Sequence, residues 1–238
     1  MTSVPPVIGA TPATAVGGTV GMVPPPAALP DVLPTERLNE RAKPRPHVRE
    51  PLRRIPNLRN AVAVVATLLQ SFGVVIAAAW VNTWWAYVAA FVLMARGHVC
   101  LNILAHEAAH RLLFTNRRAN DWVGRFLLGY PTYQAMLAYR RVHFAHHRDE
   151  MGPDEPDTGL YAGYPIQADS WRRKLRRDLT GNSAWKNFKA LGRALRAGRA
   201  EAWMIFGVHA VMLGAAIGFA RPWAYVVWIG SWSTLWKF

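Results

Sequence analysis

The feature that most constrains this fold is a run of twenty residues without a charge, from Ala61 to Trp80. A helix rises about 1.5 Å per residue, so about twenty residues cross the roughly 30 Å hydrocarbon core of a bilayer. A helix that is apolar on every side is either buried in a large protein or inserted in a membrane. We therefore predict a membrane-spanning helix over this run.

Three further apolar segments follow along the chain. They run from Trp84 to about Ala105, from Ala202 to Ala220, and from Pro222 to Trp236. Short links join the four segments in pairs, which predicts two hairpins. The sequence thus predicts an all-α integral membrane protein with four transmembrane helices in two hairpins, a cytoplasmic histidine-rich helical region and a disordered N-terminal tail.

The charge distribution predicts the orientation. The chain has 28 Lys and Arg residues against 14 Asp and Glu, a net charge of +14. Most basic residues precede the first span or lie between the second and third, and the two hairpin links carry only Arg221. The positive-inside rule then places the N-terminus and the central loop in the cytoplasm. Because the basic residues border apolar spans, we expect no nucleic-acid partner.

The first part of the chain has a different composition. Prolines recur among Ala, Gly, Val and Thr with no helical or strand period. Such a stretch buries too little apolar surface to offset its ordering entropy. We predict a disordered cytoplasmic tail over residues 1–58 and a membrane domain over residues 59–238.

Five of the eight histidines form two tight groups. His106 and His110 lie four residues apart in the motif HEAAH, on one face of a helix and one turn apart. The motif HFAHH supplies His143, His146 and His147. The adjacent pair diverges by about 100° on a helix, so each can serve one of two neighbouring metal ions. Ionisable groups at the membrane boundary usually mark function.

HEAAH alone also fits a membrane zinc protease, with two histidine ligands and Glu107 as general base. A single zinc does not call for a three-histidine group, and no later span carries a separate Asp-Gly motif. Many imidazoles around two redox metals suit iron and dioxygen chemistry better. The zinc protease stays as the alternative from a different class.

The motifs HEAAH at 106–110 and YRRVHFAHHRDEMGPDEPD at 139–157 together resemble the first two histidine boxes of the membrane fatty-acid desaturase superfamily. The resemblance implies two non-haem irons, O2 as co-substrate and two electrons from a ferredoxin- or cytochrome-type carrier. The implied reaction introduces a double bond into the acyl chain of a membrane lipid or acyl thioester. Lipid hydroxylases and carotenoid ketolases of the same superfamily remain alternatives.

The resemblance implies a residue for each position of the two boxes. His106 and His110 match the first box, while His143, His146 and His147 match the second. Glu107 then orients an imidazole and is not a catalytic base. The family carries a third box, which this sequence does not reach before Phe238. We therefore expect an incomplete metal site and no activity from this chain alone, and an inactive truncated membrane protein remains an alternative.

A few other residues carry weaker predictions. His98, Asn102, His106 and His110 recur every four residues and form a polar stripe along the second helix. Asn102, one turn below His106, is a candidate to support a ligand. His98 lies about 12 Å deeper along the helix and is a further candidate, to support a ligand, to hydrogen-bond at the floor of a substrate tunnel or to bond a neighbouring helix. For the acidic sequence 154–157 we expect a turn or a pairing with Arg140 and Arg141. Residues 171–199 predict a basic amphipathic surface that lies on an anionic leaflet or receives an acidic carrier.

Overall fold

The computed structural model describes residues 32–150, 152, 154–157 and 167–235. Within these residues the protein is all-α, as predicted. The nine helices are α1 Pro46–Leu52, α2 Asn57–Val81, α3 Trp84–Ala109, α4 Arg117–Trp122, α5 Met136–Arg148, α6 Ala168–Leu179, α7 Asn182–Arg196, α8 Ala200–Gly218 and α9 Pro222–Thr234. A π-helical turn, Val123–Gly129, and a short 3-10 turn, Tyr130–Thr132, link α4 to the loop before α5.

Three of the four predicted spans are confirmed as helices that are long and apolar enough to cross a membrane. They are α2, α3 and α8. The fourth apolar segment forms α9, whose 13 residues are fewer than the about twenty that a span takes. Residues 236–238 lie outside the described part of the chain. The four-span arrangement therefore stays a prediction.

The predicted N-terminal tail falls largely outside the described residues, which begin at residue 32. From there to residue 58 the chain forms one isolated bridge, between Leu38 and Pro44, followed by α1 and the first turn of α2. The prediction of disorder over residues 1–31 lies outside the described residues. The boundary at residue 58 stays a prediction.

α2 and α3 form the first predicted hairpin. Asn82 takes the left-handed conformation, with φ 51°, and turns the chain between them. At the other end of the hairpin, Asn57 at the start of α2 donates to Thr115 Oγ1 at 2.8 Å and accepts from Thr115 N at 2.9 Å. Asparagine tolerates the left-handed backbone that Asn82 takes. The side-chain amide of Asn57 both donates and accepts, so it bonds the hydroxyl and the backbone nitrogen of Thr115. The start of α2 is thus held beside the chain that follows α3.

Trp228 on α9 joins three helices in the core. Its ring is buried and stacks on Phe72 of α2, with centroids 4.6 Å apart. Its indole nitrogen donates to Pro131 O at 2.9 Å, and its carbonyl lies 3.1 Å from His98 Nε2 on α3. A buried indole N–H normally finds such an acceptor. α9, the second helix of the second hairpin, is therefore packed against the first hairpin.

The π-helical turn lies directly against the end of α3. A Cβ added to Gly124 in this turn would lie 2.5 Å from Ala108 Cβ and 3.0 Å from Met136 Cε. Only glycine permits this approach, because any side chain would overlap α3. Glu201 at the start of α8 accepts from Leu137 N and Ala138 N, at 3.0 and 3.1 Å, and so caps the first turn of α5. These contacts fix α5 beside the end of α3.

Candidate metal centre

The end of α3 positions the first two predicted ligands. His106 lies in the last turn and His110 follows as the C-terminal cap. Arg111 takes the left-handed conformation, with φ 61°, and Leu112 N donates to Glu107 O at 2.9 Å. This hydrogen-bond pattern ends an α-helix as a Schellman motif does. The two imidazoles stay on one face, with ring centroids 4.8 Å apart.

Arg140 on α5 docks the second histidine motif against the first. Its guanidinium donates to Ala109 O at 2.8 Å and to Ala108 O at 2.9 Å. These carbonyls belong to the last turn of α3, where carbonyls lack partners within the helix. Arg140 is 8% exposed and also pairs with Asp121 at 2.6 Å. The guanidinium thus fixes the distance between the two histidine-bearing helices.

The ion pair with Arg140 also alters the ionisation of Asp121. Burial alone would raise the pKa of its carboxyl. The hydrogen bonds from Arg140 and Asn120, together with the charge of Arg140, outweigh burial and lower the pKa below its usual value. Asp121 is therefore ionised at neutral pH and completes a charged pair with Arg140.

His143 lies at the centre of the histidine cluster and is 9% exposed. Its Nε2 atom lies 2.9 Å from His110 Nε2 and 3.0 Å from His147 Nε2. Its ring centroid is 4.4 Å from that of His106. Two helices thus bring four imidazoles to one point, with three Nε2 atoms facing one another.

Two of the box histidines bond a side chain through Nδ1. His106 Nδ1 lies 2.9 Å from the Tyr139 hydroxyl. His146 Nδ1 lies 2.9 Å from both carboxylate oxygens of Glu155, whose side chain is only 1% exposed. A histidine that bonds a partner through one ring nitrogen offers the other to a metal, and the partner fixes the ring orientation. Tyr139 and Glu155 therefore orient His106 and His146.

The cluster keeps its central imidazoles neutral. Burial lowers the pKa of His143 to about 4, with further lowering by the charges of His106, His147, His110 and His146. Burial and then the charges of His106 and His147 lower the pKa of His110 as well. The pKa of His146 is instead raised, first by its hydrogen bond to Glu155. Metal ligation requires the neutral form, which the central imidazoles hold at neutral pH.

The donor atoms form two groups that could each hold a metal ion. One group consists of His106, His110 and His143, and the other of His146, Glu155 and Asp157, with the donor atoms of each within 4.8 Å of one another. The groups adjoin, because the rings of His143 and His146 lie 5.8 Å apart. Imidazole with carboxylate is a donor set that iron accepts. The residues fit two irons, although five imidazoles fill only part of the coordination of two ions.

The supporting residues suggested by the sequence lie in different places. Asn102 donates its amide to His98 O at 2.8 Å, within its own helix. His98 is fully buried and bonds the Trp228 carbonyl, in the packing of α3 against α9. The Glu107 carboxylate makes no hydrogen bond or ion pair among the described residues. Its charge nevertheless acts to raise the pKa of His110, so it lies near the cluster.

The acidic sequence after the second histidine motif forms the expected turn, with Asp154, Pro156 and Asp157 in turn conformation, but it does not pair with Arg140. Arg140 pairs with Asp121, and Glu155 bonds His146. The expected pairing of the acidic sequence with Arg140 is wrong, because the guanidinium is taken up by the end of α3 and by Asp121. The sequence analysis also missed Tyr139, although it lies one helical turn before His143 and so on the same face.

Comparison of the sequence with known protein families gives a match over the region that contains the histidine cluster. The sequence profile of the fatty acid desaturase family matches residues 82–238, well over half of the chain. The chain belongs to the fatty acid desaturase family. This membership confirms the resemblance drawn from the two histidine motifs, and the matched range contains every residue of the histidine cluster.

A similarity to one characterised desaturase, limited to a short part of the chain, supports the same family. Dihydrorhizobitoxine desaturase of Bradyrhizobium elkanii is 36% identical to this chain over 78 residues. The match covers 33% of this desaturase-family chain and 22% of the relative, so it spans less than a quarter of that protein. No solved structure matches the chain.

The role of Glu155 leads to a prediction. Replacing Glu155 with Ala is expected to weaken metal binding about 10- to 100-fold, because His146 loses the group that orients it. Glu155→Gln is expected to have a smaller effect, since the amide oxygen still accepts a hydrogen bond. Competition between the purified protein and a chelator measures both affinities. Asp169→Ala, whose side chain is 96% exposed at the start of α6, is the control, and equal affinity of Glu155→Ala and the control would contradict the role.

Proposed function

We propose that this chain carries the metal-binding part of a membrane diiron oxidoreductase that introduces a double bond into a lipid acyl chain. The observation that carries the proposal is the convergence of His106, His110, His143 and His147 at the end of α3. α3 is itself long and apolar enough to cross a membrane. A membrane substrate and a metal centre are thereby brought to the same boundary.

The arrangement supports a cytoplasmic position for this centre. The start of α2 lies beside the end of α3, so the basic residues before α2 and the histidine cluster share one side. Eight Lys and Arg residues lie between residues 37 and 59: Arg37, Arg41, Lys43, Arg45, Arg49, Arg53, Arg54 and Arg59. Such a concentration is typical of the cytoplasmic side. We place the N-terminus and the cluster there.

Each residue of the cluster has a definite role in this proposal. His106, His110, His143, His146 and His147 hold the irons, and Tyr139 holds the His106 imidazole in position. Of the two roles open to Glu155, metal ligand or partner of His146, we assign the second, because both its oxygens lie 2.9 Å from His146 Nδ1. Two bound irons would supply the activation of O2 needed to remove hydrogen from an unactivated C–H bond. The two electrons come from a ferredoxin- or cytochrome-type carrier. The low pKa of His143 keeps its Nε2 lone pair available at neutral pH.

Desaturation is preferred over the alternatives for two reasons. The relative from Bradyrhizobium elkanii is named as a desaturase, which favours formation of a double bond over hydroxylation or ketone formation. A catalytic zinc usually takes three protein ligands, whereas the two adjoining donor groups here together hold four imidazoles and two carboxylates. The donor set therefore favours a pair of redox metals over a single zinc of a protease.

Deletion of the coding gene in the source organism tests the proposed reaction. We expect the loss of at least one unsaturated lipid, measured by mass spectrometry of the extracted membranes. A gene copy encoding His143→Ala is expected not to restore it, whereas a copy encoding His47→Ala, at an exposed position outside both histidine motifs, restores it. An unchanged lipid profile in the deletion strain would overturn the proposal.

A further inference from the structure

An apolar groove lies between α2, α8 and α9, at the end of the hairpins away from the histidine cluster. Its volume is about 820 Å³. α2 contributes Phe72, Val75 and Ile76, and α8 contributes Met212, Ala215 and Ala216. Volumes of about 300–1,000 Å³ are typical of sites that hold a small molecule. Apart from Arg221 its lining is almost wholly apolar, so the groove favours a hydrocarbon occupant.

Arg221 is the charged residue among the described groove lining. Its guanidinium is held in place by donating through Nε to Ala79 O at 2.8 Å and through Nη1 to Ala220 O at 3.0 Å. These two bonds use two of the five N–H groups of an arginine. The anchored guanidinium therefore retains donors for an anionic group, and phosphate is a partner that arginine binds well.

Aromatic side chains mark the level of Arg221 in the membrane. Trp80, Trp84, Phe219 and Trp223 lie at the ends of the two hairpins and are 88%, 78%, 81% and 62% exposed. Exposed tryptophans concentrate where the hydrocarbon core meets the head groups. Arg221 thus lies at the depth of lipid phosphates, and the groove extends from it along α2 and α8 into the hydrocarbon region.

From these observations we infer that the groove binds a membrane phospholipid, with an acyl chain along α2 and α8 and the phosphate on Arg221. The inference rests on the membrane placement of α2 and α8 in the proposed function. The site is separate from the metal centre, because Arg221 lies at the turn between α8 and α9 and the histidines lie at the opposite end of the α2–α3 hairpin. A phosphate-free lipid would fill the groove but leave the guanidinium without its partner.

Purified protein reconstituted in vesicles of phosphatidylcholine and diacylglycerol, then re-extracted in mild detergent, tests this site. Mass spectrometry of the retained lipid is expected to show phosphatidylcholine enriched over diacylglycerol. Ala216→Trp fills the groove without removing Arg221 and is expected to lose most of the retained lipid. Val211→Trp, at an exposed position on the same helix, is the matched control and retains it.

Arg221→Gln tests the head-group contact. It is expected to retain lipid but to lose the preference for phosphatidylcholine over diacylglycerol, whereas Arg41→Gln, exposed and on the other side, keeps the preference. Equal retention by wild type and Ala216→Trp, or an unchanged preference in Arg221→Gln, would overturn the inference. Occupation of the groove by a second copy of the chain would also overturn the inference. It would be detected as a disulfide-linked pair of chains that carry Ala216→Cys together with Cys100→Ser.

The proposed function can fail separately from this inference. Release of the wild-type chain from membranes by alkaline carbonate would contradict the membrane placement, and the groove site would fail with it. A chain that stays in the membrane fraction and binds iron but retains no phospholipid would overturn the groove site alone.

Discussion

Replacing His143 with Ala is expected to remove nearly all bound metal from the protein. His143 is the imidazole that all the other members of the cluster surround, with Nε2 atoms of His110 and His147 at 2.9 and 3.0 Å. Loss of a residue that only orients a ligand weakens metal binding about 10- to 100-fold, so loss of this central ligand should exceed that range. Metal content after purification and dialysis against a weak chelator measures the effect.

The matched control for this substitution is His47→Ala. His47 lies in α1, is exposed and belongs to neither histidine group. It is expected to leave the metal content unchanged. If His143→Ala retained as much metal as His47→Ala while remaining folded, the cluster would not be the metal site.

Replacing Arg140 with Met is expected to destabilise the fold more than any exposed substitution. Removal of one partner from a fully buried ion pair costs about 3 kcal/mol, and the cost here is smaller because 29% of the Asp121 side chain is exposed to solvent. Arg140→Met also leaves the Ala109 carbonyl without its donor, whereas Ala108 O still accepts from Asn120 Nδ2 at 2.9 Å. For a chain of this size such a loss lowers the melting temperature by several degrees, which thermal unfolding in detergent measures.

Arg141→Met is the control, because Arg141 is its exposed neighbour on α5.

The dependence of the stability on acid provides a second check. The pKa of Asp121 is lowered in the folded state, so its contribution to stability is present above the unfolded pKa of about 4 and is lost as pH falls through the folded value. The difference between wild type and Arg140→Met should therefore shrink in acid. Equal melting temperatures of the two variants at neutral pH would contradict the role of Arg140.

The apolar spans and the histidine motifs could be predicted from the sequence because both depend on local spacing. The first span follows from twenty consecutive uncharged residues, and α2 covers all of them. The family follows from two motifs whose order and separation are visible in the chain, and the match over residues 82–238 confirms it. Spacing of four residues also predicted that His106 and His110 share a face, as their rings do.

The partners of the histidines could not be predicted, because they depend on how distant segments pack. Glu155 reaches His146 only because the chain after α5 folds back on it. From the sequence alone, Arg140 could pair with the acidic residues that follow it. In the fold it bonds the last turn of α3 instead, because α5 packs there. His98 was suggested by its position on the polar stripe of α3, but the packing of Trp228 against it decides its contact. The membrane orientation and the inactivity of this chain alone stay predictions.

The metal content of the purified wild-type chain tests the central claim most directly. The chain would be expressed with iron and zinc supplied together, and both metals would be measured by mass spectrometry alongside the His143→Ala variant. The account predicts iron in excess of zinc, with the iron lost in the variant. Zinc in excess of iron in the wild type, lost in the variant, would contradict the diiron assignment and support the zinc-protease alternative.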